Sequence, residues 1–324
     1  MRGPRVFDLA RRLAFALPLA LVLWSAAPAA ALEQKLIAAD GIAEARLGRS
    51  VAIEGDTAVV GAPFANGKGA VYVFARSGDA WTQTAKLTAS DGAAGDRLGD
   101  SVAIEGDTIV AGAPNDDITQ GGKPFPFPVV KEDQGSVYAF ARTGAAARTE
   151  TAKLTATDGA AGDVLGFSVA IDGDTIVAGA RDDDVGTNAG QGSAYAFSRT
   201  GTAARTETAK LTATDGAERD RLGFSVAIEG DTIVAGAPGE DLGTKEGSAY
   251  TFGRTGAAAR TETARLTATD GAERDKLGFS VAIEGDTIIA GAPGDDVDTK
   301  ASQGSAYTFG RTGAAARTET ARLT

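Results

Sequence analysis

The sequence predicts an all-β protein, a β-propeller of four-stranded antiparallel blades carrying five sequence repeats. Three observations predict it. A Leu-Gly pair followed closely by Ser-Val-Ala-Ile recurs at Leu47-Gly48, Leu98-Gly99, Leu165-Gly166, Leu222-Gly223 and Leu277-Gly278, with glycine spacings of 51, 67, 57 and 55. All five tyrosines (Tyr72, Tyr138, Tyr195, Tyr250, Tyr307) occupy one position of the repeat, and Phe74, Phe140, Phe197, Phe252 and Phe309 follow two residues later. Glycine makes up 43 of 324 residues, and no segment sustains a 3.6-residue apolar period, so the chain turns often and is not a helical solenoid.

The elements follow in chain order. Arg2, Arg5, Arg11 and Arg12 precede an apolar run of 12 residues, Leu13 to Trp24, too short to cross a bilayer comfortably. Ala29-Ala30-Ala31 supplies a small-residue cleavage site. This pattern predicts a secretory signal peptide over 1–31. The propeller then occupies 32–324, with no membrane insertion after cleavage. The protein is expected to be exported: secreted, periplasmic or at the cell surface. With no cysteine in the chain, stability must come from burial and hydrogen bonding rather than disulfides.

The repeats cover approximately 46–90, 97–157, 164–214, 221–269 and 276–324, and the fourth shows the strands plainly. Phe224 to Ile228 alternates, with Val226 and Ile228 on one face. Glu229-Gly230-Asp231 is a tight turn in which Gly230 supplies a positive φ. Thr232 to Ala237 is β-branched and almost wholly apolar, as a strand buried on both faces should be, and Pro238 ends it. After a polar loop to Gly247, Ser248 to Gly253 is a third strand with Tyr250 and Phe252 on the same side. Thr261 to Thr267, with polar residues interleaved, is an outer fourth strand. Such a blade cannot cover both its faces alone, so neighbouring copies must stack around an axis. The first two strands are expected to lie nearest that axis and to be the most buried. Both a closed five-blade ring and an incomplete larger propeller satisfy this pattern.

Leu-Gly-Phe-Ser-Val-Ala, Gly-Asp-Thr-Ile-Val-Ala-Gly-Ala-Pro and Gly-Ser-Ala-Tyr-x-Phe together resemble the FG-GAP repeat in its bacterial variety, similar to the N-terminal propeller of integrin α-subunits. The resemblance covers about residues 34–324. It implies an extracellular β-propeller used in adhesion or protein recognition. The sequence departs from that pattern in three ways. The F-G step is Leu-Gly in every copy, Gly-Ala-Pro becomes Gly179-Ala180-Arg181 in the third, and the first hairpin is only Glu-Gly-Asp or Asp-Gly-Asp. That hairpin is too short to wrap a calcium ion, so the integrin calcium sites do not carry over.

Composition narrows the function. Histidine and cysteine are absent, which excludes Ser-His-Asp catalysis and His/Cys zinc sites. A net charge of −11 speaks against nucleic acid as a partner. The loops after the Gly-Ala step are acidic: Asp116-Asp117, Asp182 to Asp184, Glu240-Asp241, and Asp295-Asp296 with Asp298. Asp182 with Asp184, and Asp296 with Asp298, have the i, i+2 spacing at which two carboxylates converge from a turn on calcium; the alternative reading is solvated loops that keep the protein soluble and block edge pairing, and no loop has the full ligand set of a tight site. Asp40, Asp91, Asp158, Asp215 and Asp270, and the series Asp96, Asp163, Asp220 and Asp275, are read as turn residues bonded to their own backbone. The long loop of the second repeat, Asn115 to Gln134, carries Phe125 and Phe127 between prolines. These two are candidate anchors for a partner. Arg148, Arg205, Arg260 and Arg317 stand where the first repeat has Trp81, and predict an outer row of arginines, solvated or paired with Glu150, Glu207, Glu262 and Glu319.

No cofactor is required by these residues. The favoured function is a non-catalytic binding or adhesion module recognising an extracellular protein or glycan through propeller loops. A glycosidase-like propeller with channel carboxylates is the alternative, and so is a purely structural propeller. Nearly every acidic position recurs in each repeat, whereas acid–base catalysis needs carboxylates in distinct surroundings.

Overall fold

The structure is a computed structural model that describes residues 33–120, 129–143, 148–199, 206–239, 246–254, 260–311 and 318–324. The segment expected to be a signal peptide, the Phe125 and Phe127 pair, Glu240-Asp241, Arg205 and Arg317 lie outside these residues.

Each repeat forms one antiparallel four-stranded sheet. The first contains β1 (Ser50–Glu54), β2 (Thr57–Ala62), β3 (Ala70–Ser77) and β4 (Ala80–Leu87). The second contains β5 (Ser101–Glu105), β6 (Thr108–Ala113), β9 (Ser136–Ala141) and β10 (Glu150–Leu154); its long loop adds an unexpected two-stranded ribbon, β7 (Ile118–Gln120) and β8 (Val129–Lys131). The third contains β11 (Ser168–Asp172), β12 (Thr175–Ala180), β13 (Ser193–Ser198) and β14 (Glu207–Leu211). The fourth contains β15 (Ser225–Glu229), β16 (Thr232–Ala237), β17 (Ser248–Gly253) and β18 (Glu262–Leu266). The fifth contains β19 (Ser280–Glu284), β20 (Thr287–Ala292), β21 (Ser305–Gly310) and β22 (Glu319–Leu323).

The core lies between sheets. Val110, Val137, Ala139 and Leu154 of the second sheet pack against Ile176, Ala178, Tyr195 and Phe197 of the third. The same layer recurs at the other three junctions. Period-two alternation gives every inner sheet two apolar faces, one for each neighbour. Complete burial of a Tyr or Phe contributes about 2 kcal/mol. Neighbouring sheets touch most closely through their first strands, β1 to β5, β5 to β11, β11 to β15 and β15 to β19. The sheets thus stack as propeller blades. The most buried strands are, however, the second and third, not the first and second: β12 and β13 are buried nearly throughout, while β11 is half-exposed along its length. As the edge strand, β11 has one side without a strand neighbour.

Three polar devices lock each junction. First, Gly179 lets the Gly223 carbonyl of the next sheet approach so closely that a Cβ there would lie 1.9 Å from its oxygen; Gly112 and Gly236 meet Gly166 and Gly278 in the same way. This explains the glycine of the Gly-Ala step. Second, the serine opening each first strand donates to that same carbonyl, as Ser168 Oγ does to Gly223 O at 2.8 Å. Third, an arginine at the end of the third strand reaches back under the first hairpin of the preceding sheet. Arg199 binds the Glu105 carboxylate at 2.8 Å, the Glu105 carbonyl at 2.9 Å, Thr108 Oγ1 at 3.1 Å and Asp107 at 2.9 Å. Arg142, Arg254 and Arg311 bind Glu54, Asp172 and Glu229 likewise. Replacing Arg199 by Lys keeps the charge but loses the planar fork; a loss of about 2 kcal/mol is expected, checked as a shift of the urea midpoint.

The ring does not close. Val51 and Ile53 of β1 are 70% and 65% exposed, and Leu323 of β22 is 50% exposed, whereas its equivalent Leu266 is 1% exposed. Leu36, Ala38 and Leu47 pack on the outer part of the first sheet's free face, beside Tyr72 and Phe74.

The outer strands correct one expectation. Among the described residues, which include Arg148 and Arg260 but not Arg205 and Arg317, none of Glu150, Glu207, Glu262 and Glu319 forms an ion pair with an arginine. Each accepts the backbone N–H of Ser90, Thr157, Thr214 or Thr269 in the linker from the preceding sheet, at 2.7 Å. Arg148 and Arg260 are partly buried, and burial lowers the pKa of each. Both adopt positive φ, 68° and 62°, just before a strand whose register then shifts by a bulge. Arg260 Nη2 donates to Thr175 Oγ1 of the preceding sheet at 3.5 Å.

Candidate functional site

The acidic residues singled out by the sequence fall into repeated clusters at the loop end of each junction. The tyrosine of the third strand projects its hydroxyl there because its ring is buried at the junction. Tyr195 donates to Asp158 Oδ1 at 2.8 Å and to Asp183 Oδ2 at 3.2 Å. Lys210 of β14 bridges the same two carboxylates, at 2.8 Å each, and Ser193 Oγ also donates to Asp183. The second sheet repeats this with Tyr138, Lys153, Asp91 and Asp116, and the fifth with Tyr307, Arg322, Asp270 and Asp295. Burial, which lowers the pKa of the Lys210 ammonium, is outweighed by the two carboxylates, and it is raised. Burial pushes the Tyr195 phenol up, and Asp183 and Asp158 add to it. The Asp-Gly aspartates do more than serve their own turn: Asp40, Asp91 and Asp158 keep a bond to their own backbone, and the series binds the following sheet's tyrosine and its lysine or arginine. Spacing could not show this, because the partners lie on other strands.

The second aspartate series does cap its own turn. Asp163 Oδ2 accepts the Ala160 N–H at 2.6 Å, and Asp96, Asp220 and Asp275 do the same. Burial, with Asp183 nearby, raises the Asp163 pKa to about 6 against the opposing Ala160 hydrogen bond. A raised carboxyl pKa means that protonation favours the folded state. Its contribution is full below the unfolded value near 3.8 and is lost as pH rises through about 6. Asp163→Asn is therefore expected to be more stable than the parent at pH 7.5, by about 1–2 kcal/mol, with the gap closing towards pH 4. Thermal melts of the two proteins across that range check it.

The residues proposed for calcium do not assemble a cation site. Asp182 forms ion pairs with Arg181 and Arg221 at 3.3 and 3.2 Å. Asp184 Oδ1 accepts the Gly190 N–H at 2.7 Å, and Asp296 Oδ1 accepts the Ser302 N–H at 2.6 Å. Asp298 holds a positive φ of 56° in the same loop. Among the described residues, no three acidic side chains gather as a metal would require. Asp182, Asp184 and Asp296 thus have protein donors, and with Asp298 they do not make up a calcium ligand set among the described residues.

The departure at Arg181 builds the feature that is not repeated. Where other copies end β2-type strands with proline, Arg181 lies 3.8 Å above the Phe167 ring and 5.4 Å from Phe224. Phe167, Phe224 and Phe279 follow the Leu-Gly step in consecutive repeats and form a ladder, with centroids 5.1 and 4.8 Å apart. Phe279 at its end is 44% exposed. The first two repeats carry Arg49 and Asp100 at that position, ion-paired at 3.3 Å. The sequence reading missed this ladder, although the three phenylalanines at one repeat position were a visible signal.

The FG-GAP repeat profile matches residues 31–74, 81–140, 149–197, 206–252 and 261–309. The chain belongs to the FG-GAP repeat family. Each match from the second onward begins on the fourth strand of one sheet and ends on the third strand of the next. The FG-GAP unit is therefore one strand out of phase with the sheets. Among curated proteins, none matches the chain. No helix among the described residues is long and apolar enough to cross a membrane.

Proposed function

We propose that the chain is an exported, non-catalytic binding module that recognises an extracellular protein or glycan through its propeller loops. The observation that carries this reading is Arg181 stacked on the Phe167–Phe224–Phe279 ladder, a partly exposed aromatic and cationic surface confined to the last three repeats. Aromatic faces with an adjacent guanidinium suit sugar rings and protein side chains. The clustered carboxylates, by contrast, have protein donors and recur in similar clusters from repeat to repeat, which supports a structural use for them. Phe125 and Phe127 extend the reading to the long second-repeat loop. No metal is needed: the melting temperature is expected to be the same in calcium and in chelator, because the loop aspartates already have donors.

The test is binding to arrays of glycans and of extracellular proteins, with Arg181→Pro and Phe279→Ala compared with the parent. Arg181→Pro restores the residue of the other copies and should fold normally. Binding about tenfold weaker or worse in both variants, at unchanged melting temperature, supports the reading. Unaltered binding, or polysaccharide hydrolysis abolished by a carboxylate substitution, would count against it.

A further inference from the structure

The two free ends of the sheet stack carry the two halves of one interface. That interface is seen complete four times inside the chain. On its receiving side, each junction places a Glu or Asp at the first hairpin, an apolar second-strand residue and the leucine of the fourth strand. On its entering side, it places first-strand Val and Ile and the arginine that ends the third strand. The first sheet holds an entering half that no other described sheet covers: Val51 and Ile53 are exposed, and Arg76 folds back on Asp56 of its own hairpin at 2.8 Å. The fifth sheet presents a receiving half that no other described sheet covers. Leu323 is exposed, and Glu284 is exposed with no hydrogen-bond or ion-pair partner among the described residues. Gly291 has lost the carbonyl that presses on its equivalents; a Cβ there meets only Ser280.

We propose that the fifth sheet of one molecule receives the first sheet of a second copy, head to tail. Arg76 of the incoming copy would occupy the Glu284 hairpin as Arg311 occupies that of Glu229, where it binds the carboxylate at 3.1 Å and the carbonyl at 2.7 Å. The Gly48 carbonyl would approach Gly291 as Gly278 approaches Gly236. The same chain does not supply both halves, because the sheets as set by the four inner junctions leave Val51, Ile53 and Leu323 uncovered. One segment must move. Leu36 covers the outer part of the first sheet in the place that Leu87 takes on the second. Leu323 of the receiving copy takes that place in the pair, so residues 35–37, of which Lys35 and Ile37 are solvent-facing, lift away. A heterologous contact of this kind adds further copies rather than stopping at a symmetric dimer.

Sedimentation velocity of the purified protein over a wide concentration range tests this. The expected result is a concentration-dependent series of species above the monomer. Glu284→Arg should weaken association about tenfold or more, and adding Arg76→Glu should recover part of it. Gly291→Ala should also weaken it about tenfold or more, with the monomer's melting temperature unchanged. A monomer at every concentration overturns the proposal, whether its ends stay bare or close on each other. So does association that is indifferent to Glu284→Arg and Gly291→Ala.

Discussion

Gly179→Ala should leave the protein unfolded or destabilised by at least about 4 kcal/mol. The new Cβ would lie 1.9 Å from the Gly223 carbonyl oxygen and 2.5 Å from Ser168 Oγ. The first of these is backbone held by the next sheet, and it can move only if the two sheets part. Parting them exposes the layer in which Val177, Ala194 and Leu211 of the third sheet pack against Ile233, Ala235, Tyr250 and Phe252 of the fourth. A tightly packed interior has no slack to absorb this. Gly291→Ala is the internal control. Its Cβ meets only Ser280 Oγ, at 2.5 Å, and that side chain can rotate, so a change within about 1 kcal/mol is expected. Urea unfolding of both variants decides it. Equal effects at the two positions would show that the glycine serves its own strand and not the neighbouring sheet.

Lys210→Met should cost about 3–5 kcal/mol, the range seen when one member of a buried ion pair is removed. Asp183 is almost fully buried, and its carboxylate has Lys210, Tyr195 and Ser193 as donors. Without the ammonium, Asp183 and Asp158 become two like charges sharing one tyrosine hydroxyl. Lys210→Met combined with Asp183→Asn should recover most of the loss, because the uncompensated buried charge is then gone. Melting curves of the single and double variants measure the coupling. A single variant that loses less than about 1 kcal/mol would place this cluster with ordinary surface pairs.

How much of this was legible in the sequence depends on whether a residue's partner lies on its own strand. The strand pattern was legible: Thr232–Ala237 and Ser248–Gly253 form as the alternation and turn residues require, and the Gly-centred hairpins take the positive φ expected, 53° at Gly230. The apolar side shared by Tyr250 and Phe252 was legible for the same reason. The aspartates were not. Asp158 lies 37 residues from Tyr195 and 52 from Lys210, and local turn chemistry already offered a sufficient account of its residue type. Likewise Arg199 is 94 residues from Glu105, and nothing in the local pattern distinguishes an arginine that staples two sheets from one that faces water. At Asp182 the i, i+2 spacing with Asp184 did not reveal the nearest partner, because the arginine that breaks the Gly-Ala-Pro pattern, Arg181, is itself the carboxylate's neighbour.

Everything turns on successive repeats being equally stacked blades. The absence of native cysteine allows single spin labels to be attached without interference at the equivalent, exposed outer-strand positions Thr84, Thr151, Thr208, Thr263 and Thr320. Pulsed electron spin resonance on the four neighbouring pairs should give four narrow distance distributions with nearly the same mean, and longer distances for labels two sheets apart. Broad distributions, or neighbouring pairs that alternate between short and long, would mean that the repeats are separate beads or two facing layers.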